Sequence, residues 1–280
     1  MPCRGAWDRL DLYHGPNFKM HTTGRSGGIV TIHDLWLARH PEYSRKLLGQ
    51  AGSSRRAIAT ANRARRVVTV SEFSAREIEA LYGIPRERVV VIHNGVTEEF
   101  SPVQDEQGMA VLRARWAIPS AGFILFVGGA DPRKNHRVFL QAVAQSRSQL
   151  GGRAILLVGD AEHPQGSYLA TARSLGLEQD VRCTGRLNRE DLCRLYSYAE
   201  VFVFPSLYEG FGMPVLEAMA CGAPTITSST SSLPEVAGDA ALLVNPEDAE
   251  ALGAAMVKVL SEQALRQQLR DRGFERTRLF

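Results

Sequence analysis

The stretch "VFVFPSLYEGFGMPVLEAMACGAPTI" (201–226) decides how the chain is read. It opens on an apolar run of valine and phenylalanine, crosses a glycine-rich turn, continues into a helix-forming segment and ends on a second short apolar run. A strand, a tight turn, a helix and a further strand in so few residues form the repeating unit of a parallel sheet. Two acids, Glu209 and Glu217, stand in this unit eight positions apart, in apolar and glycine-rich surroundings. An ionised carboxylate is costly to desolvate without a partner. The pair therefore calls for a cation or a ligand.

The same alternation continues on both sides. "FILFVGG" (123–129) precedes "HRVFLQAVAQSRSQL" (136–150), "AILLVG" (154–159) precedes "SYLATARSLG" (167–176), and "VRCTG" (181–185) precedes "REDLCRLYSYA" (189–199). Beyond residue 223, "PTITSS" (224–229) and "ALLVN" (241–245) supply two more strands, and "DAEALGAAMVKVLS" (248–261) a helix. Apolar strands separated by helices predict an α/β, doubly wound domain whose ligands sit at the carboxyl ends of the strands. In that frame Glu209 lies in a strand-end loop, and Glu217 lies about one turn into the following helix, pointing back towards its start. "GFG" (210–212) permits close backbone approach, Pro214 suits a first helical turn, and the N–H groups at the helix start can hold an anion. At the end of the domain's first strand, Gly128 and Gly129 lead to Arg133 and Lys134, two cations placed to clamp a diphosphate. The plainer alternatives are an ion-paired Glu217 in a core helix, a surface Glu209 and a basic loop that merely caps the sheet.

The first half shows strands at "LDLYHG" (10–15), "GGIVTIHD" (27–34), "RVVTVS" (66–71) and "RVVVIHNG" (88–95), with helices near 54–64 and 74–82. Ser74 is the expected N-cap of the second helix, with Glu77 as its capping-box partner. "VTEEFSPVQDEQG" (96–108) loses periodicity, and 96–106 reads as a linker. The domains expected are 1–103, 104–262 and a terminal helix at 263–280.

Composition fits a globular chain: 280 residues, 44% hydrophobic and 22% charged. A net charge of +3, with 33 dispersed Lys and Arg, argues against a nucleic-acid partner. The denser patch "SSRRAIATANRARR" (53–66) reads as a solvated helix face, with an anionic membrane surface as the rival reading. No apolar run approaches the about 20 residues of a membrane span. Cys3, Cys183, Cys193 and Cys221 lack metal-type spacing; Cys221 reads as a small buried hydrophobe, and this usage fits a reducing cytoplasm. The chain has no D-x-D triplet, so no metal bridging a diphosphate is expected.

Taken in order, "GGADPRKN" (128–135), "VRCTGRLNREDL" (181–192), the 201–226 stretch and "LPEVAGDAALLVNPED" (233–248) resemble the retaining nucleotide-sugar glycosyltransferase family with an E-x7-E motif, the glycosyl transferases group 1. "VTIHDL" (30–35), "VTVSEFS" (68–74) and "VIHNGV" (91–96) resemble the later part of that family's first domain. The resemblance implies the GT-B fold, two Rossmann-like doubly wound domains facing across a cleft. The first is incomplete here, because only about four of its strands are found and the Gly-rich loop after strand one is missing. The terminal helix would return towards that first domain.

The activity implied is transfer of a hexosyl group, mannosyl among the candidates, from a nucleoside-diphosphate sugar to a glycan, lipid or small-molecule acceptor. Configuration would be retained, with no metal or other cofactor. Glu209 would hold hydroxyls of the donor sugar and Glu217 those of the ribose. Phe211, Gly212, Met213 and Pro214 would meet sugar and phosphates, and Arg133 and Lys134, beside Gly129, would neutralise the leaving diphosphate. Arg186 and Leu187 would offer their backbone to the base, and His33 would approach the reacting sugar, making His33 and Glu209 the catalytic candidates. Rival readings are a catalytically impaired nucleotide-sugar-binding module and a nucleotide-sugar epimerase. A cytoplasmic site of action, peripheral contact with the inner face of the membrane and self-association through exposed sheet edges complete the expectations.

Overall fold

The computed structural model describes residues 11–20, 27–40, 51–163 and 166–280. Cys3 and the first residue of the expected strand at 10–15 lie outside the described residues. Two compact units are present: Met1–Asn94 together with Glu209–Phe211, and Gly95–Tyr208 together with Gly212–Phe280.

The first unit holds β1 (Leu12–Gly15), β2 (Gly27–Ile32), β3 (Arg66–Thr69) and β4 (Val89–Val91). They form one parallel sheet in chain order. Among the described residues three helices, α1 (Trp36–Arg39), α2 (Ala51–Arg63) and α3 (Glu72–Tyr82), accompany it. Val30, Ile32 and Val67 of the sheet share one core with Ala57 and Ala61 of α2 and Ala75 and Ile78 of α3.

The cap of α3 differs from expectation. Ser71, not Ser74, is the N-cap, and its Oγ accepts from the Ser74 N–H at 3.0 Å. Strand β3 ends at Thr69, so the helix begins three residues earlier than the serine spacing suggested. Glu77 is thereby moved into the helix, where Arg39 meets it with two hydrogen bonds, Nε at 2.6 Å and Nη2 at 2.5 Å. A buried carboxylate held by a bidentate guanidinium replaces the capping box.

The second unit begins with α4 (Glu106–Arg115), which has no counterpart among the sequence expectations. It buries only Met109 and Leu112, too little for an apolar stripe to show in the sequence. Its cap holds it instead: Asp105 accepts from the Gly108 N–H at 2.9 Å and from Arg194 Nε at 2.8 Å.

After α4 come β5 (Phe123–Val127), α5 (His136–Ser146), β6 (Ala154–Val158), a hairpin of β7 (Glu162–His163) and β8 (Gly166–Ser167), and α6 (Tyr168–Ser174). The chain continues with β9 (Val181–Gly185), α7 (Arg189–Tyr198), β10 (Val201–Phe204), α8 (Met213–Ala220) and β11 (Thr225–Ser228). It ends with α9 (Leu233–Ala237), β12 (Ala241–Val244), α10 (Ala249–Ser261) and α11 (Gln263–Thr277). The hairpin strands are two residues each, too short to leave a periodic signal.

Six strands pair in the order β12-β11-β10-β5-β6-β9, all parallel. Counted along the chain this is 6-5-4-1-2-3, the order of Rossmann-type sheets. The direction of winding reverses between β5 and β10, which are neighbours. Strand β6 is buried throughout, as a sheet covered on both faces requires. Polar Thr225, Thr227 and Ser228 on β11 are also fully buried, each hydroxyl donating to a backbone carbonyl: Ala223, Phe204 and Ser206.

Candidate active site

Reversal of the strand order opens a crevice at the carboxyl ends of β5 and β10, because the loops leaving these neighbours turn to opposite faces. After β5 the backbone is pinned to the end of β6: Gly128 N–H donates to Val158 O at 2.8 Å and Ala130 N–H to Asp160 O at 2.8 Å. A 3₁₀ turn, Pro132–Lys134, follows, capped by Asp131 accepting from the Arg133 N–H at 2.9 Å. Asn135 closes it with φ of +62°, a conformation that asparagine tolerates better than most residues. Its buried amide donates to Pro205 O at 3.1 Å and Pro246 O at 2.6 Å, fastening this loop to those after β10 and β12.

A second tie runs the other way. Arg133 O accepts from the Leu207 N–H and from Ser206 Oγ, both at 2.9 Å. The loop bearing Arg133 and Lys134 and the loop leading to Glu209 are therefore joined at their backbones. Lys134 Nζ stands 5.1 Å from the centre of the Phe204 ring, a cation–π distance. At Gly129 an added Cβ would approach nothing nearer than 3.7 Å, so no protein atom demands glycine there.

Helix α8 starts at Met213 with Pro214 in its first turn, as expected. Gly212 precedes it at φ +115°, a conformation open to glycine, and no side chain caps the helix start. Glu217 faces α7, where Tyr196 Oη donates to its carboxylate at 3.2 Å. Burial raises the Glu217 pKa above the ordinary range, partly opposed by that hydrogen bond and by Arg189. Tyr196, fully buried, is held well above its ordinary value by desolvation and by Glu217.

At the ends of β6 and β9, Arg186 makes an ion pair with Asp160 at 2.6 Å, and this holds the Asp160 carboxyl below its usual range. The Arg186 side chain is thus engaged, and Leu187 follows in the same loop, half-buried.

The first unit contains His33, which follows β2, and the tripeptide Glu209–Phe211. His33 Nε2 lies 2.9 Å from Pro16 O. A carbonyl only accepts, so Nε2 carries the proton and, in the neutral ring, Nδ1 keeps a lone pair. Ser71 Oγ and Ser74 Oγ both donate to Gly210 O, at 2.7 and 3.1 Å, and a Cβ on Gly210 would sit 1.9 Å from His33 O. Glu209 is 7% exposed, and Phe211 packs its ring 5.9 Å from that of His93.

The residues read from the sequence thus fall in two groups. Gly129, Arg133, Lys134, Arg186, Leu187, Gly212, Met213, Pro214 and Glu217 belong to the second unit, and His33, Glu209 and Phe211 to the first. Sequence reasoning missed Asn135, Tyr196 and Ser71, and it read Ser74 only as a helix cap, without its bond to Gly210 O. The only available signal was for Asn135, a small amide directly before a helix and after two cations. Among the described residues no three His, Cys, Asp or Glu side chains gather as metal ligands, and no helix is long and apolar enough to cross a membrane.

The second unit is a Rossmann-type α/β unit with glycines and cations at its strand reversal, and the first unit is a parallel α/β unit as well. The chain belongs to the glycosyl transferases group 1, whose family model matches residues 111–276, while a model described as Glycosyltransferase Family 4 matches residues 4–100. It is 33% identical over 286 residues to O-antigen chain mannosyltransferase B of Escherichia coli, covering 100% of this chain and 74% of that protein. Serotype-specific mannosyltransferase WbdA of Escherichia coli is 35% identical over 217 residues, 76% of this chain but 26% of its own length. Among solved structures, Anabaena HepE in complex with UDP and glucose matches with a TM-score of 0.82 at 20% identity, over 99% of this chain and 75% of its own. The fold is accordingly α/β of the GT-B glycosyltransferase type.

Proposed function

We propose that the chain moves a hexosyl group, mannosyl by the activity of its relatives, from a nucleoside-diphosphate sugar to a glycan, lipid or small-molecule acceptor with retention of configuration. The observation that carries the reading is the tie of the Leu207 N–H and the Ser206 hydroxyl to Arg133 O, which holds the cationic loop against the loop leading to Glu209. Arg133 and Lys134 would stabilise the charge that grows on the diphosphate as its bond to the anomeric carbon lengthens, usually the largest contribution in such sites. The amides at the start of α8 would add backbone donors. Glu217 would accept from the ribose hydroxyls and Glu209 from those of the donor sugar, with the backbone of Arg186 and Leu187 towards the base. His33 would present its Nδ1 lone pair to a hydroxyl of the reacting sugar. The acceptor hydroxyl would attack the face that the diphosphate leaves, passing its proton to a departing phosphate oxygen, with the sugar close to an oxocarbenium ion. No metal is required in this scheme, because the two cations occupy its electrostatic role.

Incubation with GDP-mannose or UDP-glucose and a panel of sugar acceptors, followed by NMR of the product's anomeric proton, tests this. An α-linked product from an α-linked donor is expected. A β-linked product, or transfer undiminished in Glu209→Ala, would overturn the assignment.

A further inference from the structure

The second unit has a polar pocket of about 350 Å³ on the side away from the crevice. It lies where α7 ends and β10 begins, which in a parallel sheet is the amino edge. Arg113 of α4 and Arg266 and Arg270 of α11 line it, with Gln263, Tyr198 and Glu200. All three arginines are half-buried.

Two of the guanidinium groups are held in place from behind. Arg266 Nη1 donates to Val259 O and Leu260 O, at 2.9 and 2.7 Å, closing the end of α10. Arg270 Nε donates to Gly222 O at 2.8 Å, just past α8. A guanidinium has five N–H donors, so Nη2 of Arg266 and both Nη groups of Arg270 remain for a ligand. The Arg113 guanidinium makes no hydrogen bond among the described residues; its backbone carbonyl accepts from the Ile118 N–H at 2.9 Å. None of the three forms an ion pair there, whereas Arg147, Arg186 and Arg194 of the same unit all do.

The negative side of the pocket is weaker. Glu200 is its one lining carboxylate, and its Oε2 lies 4.0 Å from Arg153 Nη2. The end of α7 adds about half a negative charge. Three half-buried guanidinium groups, two of them preorganised, outweigh both, and the excess positive charge matches a phosphate dianion. Around them the Gln263 amide is suited to a sugar-type hydroxyl, while Tyr198 Oη is already engaged, donating to Glu106 Oε1 at 3.0 Å and accepting from the Asp105 N–H at 3.1 Å. We propose that this pocket binds a soluble phosphate ester carrying hydroxyl groups, at a site separate from the donor crevice.

Calorimetry with glucose 6-phosphate on the full chain tests the proposal, with UDP as competitor and sodium sulfate as control. One site is expected, with affinity that falls as salt rises, is untouched by UDP and exceeds that for sulfate. Arg113→Gln removes no helix-end bond, and it should weaken binding at least about tenfold, the effect of losing one charge-assisted hydrogen bond. Arg270→Gln should do the same. Absence of binding, displacement by UDP, equal affinity for sulfate, or full affinity in a folded Arg113→Gln protein would each overturn the proposal.

Discussion

Glu217 and His136 show how burial sets the chemistry of single residues in this chain. Glu217 is raised in pKa by burial, so in the empty protein its ionisation costs stability as pH rises through that raised value. Ribose hydroxyls donating to the carboxylate would favour the ionised form. Nucleoside-diphosphate affinity should therefore climb with pH across the Glu217 titration and lose that slope in Glu217→Gln; equal slopes in the two proteins would contradict the ribose role. His136 is the opposite case, a fully buried imidazole whose pKa falls from 6.5 to about 4, chiefly by desolvation and then by Arg137. The unfolded chain takes up a proton below pH 6.5 that the folded chain refuses, so this stability is complete above that pH and lost on acidification. Between pH 7 and pH 5 the parent should lose about 2 kcal/mol more than His136→Gln, read from urea midpoints. Equal losses would show that the ring is accessible to solvent.

At the scale of elements, the loop between β5 and α5 is the part on which the crevice depends. Asn135→Ala removes two hydrogen bonds to loop carbonyls and places alanine at φ +62°. We expect a loss of about 2–4 kcal/mol in unfolding experiments. Asn135→Gly should recover only the backbone share, and full recovery would mean that the amide bonds carry nothing. This loop also shows what the sequence revealed and what it did not. Strands β5, β6, β10 and β12 were legible because a doubly covered sheet demands continuous apolar runs, β9 and β11 by their β-branched residues and their places between helical stretches, and Arg133, Lys134 and Glu217 because charges are conspicuous among them. Helix α4 was invisible because its cap, not an apolar face, holds it. The start of α3 was misplaced because two serines three residues apart offer the same capping chemistry, and only the end of β3 chooses between them. Tyr196 gave no signal at all, since its partnership with Glu217 joins helices distant in sequence.

For the molecule as a whole, the central claim is that a diphosphate is held by Arg133 and Lys134 at the strand reversal of the second sheet. Strand order was not readable from the sequence, because pairing between β5 and β10 is a long-range choice; the number and type of strands were. Affinity of the chain for UDP or GDP should depend on that pair, while affinity for the bare nucleoside should not, since neither cation would touch base or ribose. The most direct measurement is titration calorimetry of diphosphate and nucleoside into the parent and into the Arg133→Ala, Lys134→Ala double variant. Loss of two charge-assisted contacts predicts a fall on the order of a hundredfold or more for the diphosphate, with nucleoside affinity unchanged. A folded double variant that binds the diphosphate as tightly as the parent, or that loses both ligands equally, would contradict the account.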